Sequence, residues 1–274
     1  MSKSLSDRYN SWYQGVRFRL SENNSPLFIG FYKYLYRPSR GSLNDFLDRY
    51  SRSKKPFTVI QIGANDGLLH DPIHKFVKRD RWQGIILEPQ SHIFKTYLER
   101  VYRKNPGIHT LCAAIGEEDG YRKLYKIGFT QMRWASGLAS FDREQIMKAF
   151  SSGRVKEFCD RYGIEIPASP NEQIVSEVVR VVRPETLLVR YHISEIDLLI
   201  VDTEGYDYQI LKMFDIGRTQ PGAIIFENMH LSDQDLQDCR SMLHLQGYAL
   251  RTYGHNTLAM KHPPAAFLDF FETG

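Results

Sequence analysis

The chain has 274 residues, 42% of them hydrophobic and 25% charged, with a formal net charge of +4. That suits one large α/β domain with additions. The charge is too small to argue for a nucleic-acid partner, and no apolar run approaches the roughly 18 residues a membrane helix needs. The polar N-terminus shows no signal peptide, and Cys112, Cys159 and Cys239 form no CxxC pair, so the expectation is a reduced cytoplasmic protein without disulfides or a zinc knuckle.

Residues 1–56 read as a basic, aromatic-rich helical extension. Lys3, Arg8, Arg17, Arg19, Lys33, Arg37, Arg40, Arg49, Arg52, Lys54 and Lys55 face only Asp7, Glu22, Asp45 and Asp48. Aromatics packed on the main domain with arginines in water is the favoured reading. An anionic substrate, a carrier protein or a membrane interface is the sharper one, and a homo-oligomer would also form through this segment.

Strand-like runs then alternate with helical stretches, the pattern of an open, mainly parallel sheet. Strands are expected at Thr58–Ile62, Gly84–Leu87, near Ile108–Ala113, at Asp197–Val201 and at Ala223–Phe226. The runs Tyr248–Thr252 and Thr257–Met260 are too close for anything but an antiparallel hairpin. Helices are expected at Pro72–Arg79, Ser91–Tyr102, Tyr208–Phe214 and Asp233–Gln246, the last started by Ser232. An insertion at 121–196 separates strands 3 and 4. It reads as alternation over Tyr121–Ile127, a Trp–Ser–Gly segment (Trp134, Ser136, Gly137), one amphipathic helix over Arg143–Tyr162 and a strand-like Ile174–Val182. Insertions at the carboxyl edge of such sheets supply substrate contacts, so this one is expected to cover the substrate. Residues 263–274 read as a C-terminal tail.

Chemistry concentrates at the strand ends. In T-V-I-Q-I-G-A-N-D-G, Gly63 and Gly67 bracket Ala64, Asn65 and Asp66, a tight turn between a buried strand and a helix that lets a ligand approach bare backbone. Asn65 stands where a dinucleotide fingerprint has its second glycine, and its polar side chain with that of Asp66 suits the ammonium and carboxylate of S-adenosylmethionine. Glu88, at the tip of strand 2, is placed to accept hydrogen bonds from a ribose diol. Cys112-Ala113-Ala114-Ile115-Gly116 offers either a backbone shelf for adenine or a close-packed turn. The run Asp197–Asp207 delivers Asp202 and Glu204 to a strand tip. The next strand delivers Glu227, Asn228 and His230 to the same edge, so Asp202, Glu204, Glu227 and His230 are expected to converge.

These motifs resemble the FkbM-type S-adenosylmethionine-dependent methyltransferases over roughly Phe57 to Lys261. The ordered series is I-Q-I-G-A-N-D-G, I-I-L-E-P, A-A-I-G-E-E-D-G, I-D-L-L-I-V-D-T-E-G-Y-D, F-E-N-M-H and G-Y-A-L…N-T-L-A-M-K. The resemblance implies a Rossmann-like class I methyltransferase domain over 57–262, with a seven-stranded, mainly parallel sheet and an antiparallel last strand. It implies that Gly63, Ala64, Asn65, Asp66 and Gly67 line the methionine and ribose. Glu88 would hold the ribose hydroxyls and Asp202 the donor end, with Pro89, Ala113, Ala114 and Glu204 as further candidate cofactor contacts. Ile200, where a lysine often stands, and the long insertion depart from the family pattern.

The activity expected is O-methylation of a small hydroxylated acceptor, glycosyl or secondary-metabolite. The hydroxyl preference rests on the resemblance. His230 is the candidate base, with Glu227 or Asp202 holding its other nitrogen, and a structural histidine capping the turn is the competing reading. Trp134, Ser136 and Tyr206 are candidate substrate contacts; Trp134 and Tyr206 offer a π-face to a sulfonium or simply pack. Mg²⁺ held by Asp202, Glu227, Asn228 and His230 ranks behind a metal-free site, because no spacing compels a metal. N-methylation, an NAD-dependent dehydrogenase and a non-catalytic cofactor-binding protein are the rivals.

Overall fold

A computed structural model describes residues 5–271, and the side chains from residue 12 onward in the first helix. Lys3 and residues 272–274 of the expected tail lie outside the described residues. Ten strands form two sheets: β1 (Thr58–Ile62), β2 (Gln83–Leu87), β3 (Ile108–Leu111), β4 (Ala114–Ile115), β5 (Gly120–Ile127), β6 (Ile174–Val182), β7 (Leu198–Val201), β8 (Ala223–Glu227), β9 (Tyr248–Tyr253) and β10 (Asn256–Lys261).

The main sheet has the order β3-β2-β1-β7-β8-β10-β9. Only β10, the last strand, runs antiparallel to its neighbours, and it forms the expected hairpin with β9. Seven strands, mainly parallel with one reversed, are what the resemblance implied. Its central strands are apolar on both faces, as a parallel sheet covered on both sides demands. Val59 faces one core with Trp82, Phe76 and Phe46, while Ile60 and Ile62 face the other with Leu211, Phe214 and Leu243. The chain turns to opposite sides after β1, so β1 and β7 bound a topological switch point, where ligands of such sheets bind.

The expected strand over Ile108–Ala113 stops at Leu111. Ala114 and Ile115 instead pair with Val181 and Val182 in a second sheet of order β4-β6-β5. β5 and β6 form an eight-pair antiparallel ladder over the insertion. The single amphipathic helix expected over Arg143–Tyr162 is two, Arg143–Ser151 and Arg154–Tyr162. Gly153 breaks it at φ +80°, a conformation that ends the first helix and starts the second. Ile146, Ala149, Val155 and Cys159 then pack with Ile127 and Ala135 into a core of their own.

The N-terminal segment is helical, with helices at Leu5–Glu22, Pro26–Gly30 and Leu43–Ser53 and a π-helical turn at Phe31–Leu35. It is fastened by a Ser21–His74 hydrogen bond of 2.6 Å and by Arg100 donating to Glu22 at 2.9 Å. Ala265–Phe270 forms a 3₁₀ turn that buries Phe267 and Phe270 against Phe46. Among the described residues no helix is long and apolar enough to cross a membrane.

Candidate active site

The tips of β1 and β7 touch at the switch point. A Cβ on Gly63, which has φ +78°, would lie 1.8 Å from the backbone oxygen of Asp202, so glycine is required there by the fold itself. Gly67 is equally constrained, since a Cβ would lie 2.5 Å from Leu98. Strand and helix packing thus require both glycines, whether or not a ligand approaches the loop.

The side chains between them are engaged by the protein. Asn65, at φ +51°, donates from Nδ2 to Ser136 Oγ at 3.1 Å, and its Oδ1 accepts from Asp66 N. Asp66 accepts from Leu68 N and Leu69 N through Oδ1, while Oδ2 meets Arg133 at 3.2 Å. Ala64 is buried. Glu88 lies beneath the loop as a brace: Oε2 accepts from Asn65 N and Oε1 from Gln90 N, both at 2.9 Å. Burial pushes its acid up to about 7. The Gln90 side chain is a further donor to it, so the carboxylate keeps only part of its accepting capacity.

Of the expected shelf, Ala113 and Ala114 are buried. Cys112 is its half-buried member, with Sγ 3.7 Å from the carbonyl of Pro89, which is also half-buried. Glu177, on the inward side of β6 with Val179 and Val181, was not foreseen. After burial, it adds to the upward shifts of Glu88 and Cys112, and its own Oε1 is buried without a hydrogen-bond partner.

The insertion closes on this crevice through Arg133–Ser136. Ser136 accepts from Asn65 at Oγ and from Gln90 at its carbonyl, 3.0 Å. A Cβ on Gly137 would lie 2.6 Å from Glu204 Oε1, so the segment reaches the β7 tip as well. Trp134 stacks on Phe158 at 5.1 Å and 7°, which commits one of its faces to packing. Tyr206 is exposed.

Acidic groups crowd the β7 and β8 tips. Glu204 adopts φ +55°, and Gly205 adopts φ +103° against the His230 carbonyl. Asp207, fully buried and missed in the sequence, ties the two tips together. Its Oδ2 accepts from Thr203 N and Oγ1, and its Oδ1 accepts from Glu227 N at 3.2 Å. Burial pushes it up to about 7. Asp202 is exposed as a residue, and its carboxyl accepts no hydrogen bond among the described residues; the protein packed around that carboxyl, then Glu227, raises it to about 6 against Arg133 and His230. Glu204 is raised chiefly by burial.

Glu204, Glu227 and His230 do converge, with one ligand atom from each inside 4.8 Å. His230 Nδ1 lies 2.8 Å from Glu227 Oε2 and 3.0 Å from Glu204 Oε2. Arg154 Nη1 lies 3.3 Å from Nε2. Arginine only donates, so Nε2 carries the lone pair and Nδ1 the proton. The bond to Glu227 raises the imidazole above its ordinary value, against desolvation and Arg154. Asn228 is not in the group. It donates from Nδ2 to Thr257 Oγ1, a bond that leaves its Oδ1, the atom a Mg²⁺ ion would take, uncommitted.

A separate cleft of ≈ 800 Å³ opens at the opposite, amino edge of the sheet, beside Lys54, Gln83, His109 and Asp197. It contains none of the strand-tip groups.

The family model described as the methyltransferase FkbM domain matches residues 61–250, from β1 through β9. The chain belongs to the FkbM methyltransferase family. The crevice just described therefore lies on the part of the chain that defines the family. No curated protein matches the chain by sequence. Among solved structures, the methyltransferase FkbM of Methylobacillus flagellatus KT shares 14% identity at a TM-score of 0.44, over 82% of this chain and 45% of that one. This chain thus spans less than half the length of that relative. A SAH-bound methyltransferase of Podospora anserina shares 12% identity at a TM-score of 0.40, over 96% of this chain and 100% of the other. Both likenesses are distant.

Proposed function

We propose that this FkbM-family chain is an S-adenosylmethionine-dependent O-methyltransferase acting on a small hydroxylated acceptor, glycosyl or secondary-metabolite. One observation carries the reading: the unpaired Asp202 carboxylate and the Glu227–His230 pair share the rim of the switch-point crevice. An anion without a hydrogen-bond donor, with Glu227 and Asp71 as well as Arg133 and His230 acting on it, has room for a cationic ligand. The loop Gly63–Gly67 would hold the methionine end, the remaining accepting capacity of Glu88 the ribose, and Glu177 with Cys112 and Pro89 the adenine edge. The donor supplies an electrophilic methyl group; everything else is alignment and proton removal.

His230 Nε2 takes the acceptor's proton, and Glu227 stabilises the resulting imidazolium. Arg154 sits on that lone pair, so an acceptor hydroxyl must exchange places with it. The segment around Ser136 keeps water from the crevice, held to Asn65, Gln90 and Asp66. A dinucleotide fits less well, because Asn65 and its bond to Ser136 fill the place of the second fingerprint glycine. N-methylation stands as the runner-up.

Methyl transfer from labelled donor to a panel of hydroxylated glycosides and phenols tests the reading. His230→Ala is expected to lower turnover by about 10²-fold or more while the donor still binds. Full turnover by that variant contradicts the assignment. Turnover unaffected by a chelator is the expectation for a metal-free site, and rescue by Mg²⁺ contradicts it.

A further inference from the structure

We infer that the helical stretch Pro26–Leu35 is an interfacial anchor that seats the protein on an anionic lipid surface. This lies beyond the methyl-transfer reading and is independent of it. The stretch has two apolar faces, and only one is used. Phe28, Tyr32 and Tyr36, four residues apart, turn inward: Phe28 packs on Tyr32 at 4.9 Å and on His74 at 5.5 Å, and Tyr36 packs on Phe76. The opposite stripe is Leu27, Phe31, Tyr34 and Leu35, which are 82%, 48%, 65% and 71% exposed. A spacing of four, three and one puts them on one side of the helix. Phe31 edges onto Tyr32 at 5.2 Å, and Leu27, Tyr34 and Leu35 belong to no buried cluster among the described residues.

Charge selects the partner. From residue 23 to 41 the sequence has no Asp or Glu, while Lys33, Arg37 and Arg40 follow the stripe, all exposed. None of the three forms an ion pair with a carboxylate among the described residues. Lys33 lies over the Tyr34 ring, and Arg37 donates only to the Tyr36 carbonyl. Residues 1–56 carry eleven basic and four acidic groups, a net +7, so the remaining 218 residues of a +4 chain carry −3. Arg40 acts on Asp269, but a twofold contact through the stripe would set Lys33 and Arg37 against their own copies, which disfavours a second copy of the chain. A short projecting ridge of Leu, Phe and Tyr with unpaired cations beside it matches an interface of acyl chains below and phosphates above, and it needs no complementary pocket.

The test uses the full chain and vesicles of phosphatidylcholine alone or with about a third phosphatidylglycerol. Cosedimentation should occur with the anionic vesicles only and fall as salt rises. The variant Leu27→Ser/Leu35→Ser, and separately Lys33→Glu/Arg37→Glu, should each lower partitioning about tenfold or more with unchanged melting temperature, since the side chains touch no core. No binding to anionic vesicles overturns the proposal. So does equal binding by both variants and the parent. A concentration-dependent dimer that Leu27→Ser/Leu35→Ser abolishes, with no vesicle binding, also overturns it and assigns the stripe to self-association.

Discussion

Replacing Glu227 with glutamine isolates the pair on which the base assignment rests. Glutamine keeps an acceptor oxygen for His230 Nδ1, now 2.8 Å from Oε2, but removes the charge. A charge-assisted hydrogen bond exceeds a neutral one by about 1–2 kcal/mol, and about 1.4 kcal/mol corresponds to one pKa unit. The side chains of His230 and Glu227 are 17% and 15% exposed, so solvent does not erase the effect. Glu204 stays 3.0 Å from the same nitrogen and keeps part of the upward shift. Glu227→Gln should therefore lower the His230 pKa by about one unit. The Cε1 proton of His230, assigned by its loss in His230→Gln, reports this in an NMR titration without any acceptor. In turnover, a base works only when neutral, so activity should rise with pH through the His230 pKa. Glu227→Gln should move that rise to lower pH and lower the plateau, because the imidazolium formed in the reaction loses its counter-charge. An unmoved titration midpoint refutes the proposed pairing.

Other consequences follow from the same geometry. Arg154→Ala removes the cation that depresses His230, so the same NMR midpoint should rise; a fall contradicts the contact at Nε2. Gly63→Ala forces a Cβ to 1.8 Å from the Asp202 carbonyl at φ +78°, and urea unfolding should show a loss of about 3 kcal/mol or more. A loss within about 0.5 kcal/mol would mean the two tips are not clamped together. Burial raises Glu88 to about 7, above its unfolded value near ~4.3, so its contribution to stability is full at acid pH and is lost as pH rises through about 7. The stability deficit of Glu88→Gln should accordingly shrink between pH 5.5 and 8 in urea titrations; a constant deficit places Glu88 outside the buried brace.

What could be read in the sequence depended on how local the cause was. The β1 and β7 runs announce themselves because a strand buried on both faces is mostly apolar, with Gln61 the buried exception in β1, and the polar residues after it mark the tip. The convergence of Glu204, Glu227 and His230 was legible for that reason, since neighbouring strands in a parallel sheet end at the same edge. Partners across long separations were not. Nothing near Asn65 or Asp66 shows that Ser136 and Arg133, some seventy residues on, engage their side chains. Glu177 alternates along β6 like any strand residue, and only the second sheet turns its side chain inward. Gly153 was present inside an amphipathic pattern, but a period of 3.6 is blind to one residue that reverses φ. The stripe beginning at Leu27 reads as core by composition; only the packing of Phe28 and Tyr32 reveals which face is left outside.

The central claim is that the crevice between the Gly63–Gly67 loop and the Asp202–Gly205 tip binds a sulfonium nucleoside. Isothermal titration of the full chain with S-adenosylmethionine, S-adenosylhomocysteine and NAD addresses it directly, with Asp202→Ala in parallel. The account predicts binding of the first two, none of NAD, and an Asp202→Ala variant that loses affinity for the cationic donor more than for the uncharged thioether. Binding of NAD without S-adenosylmethionine, or equal losses for both sulfur ligands, would contradict it.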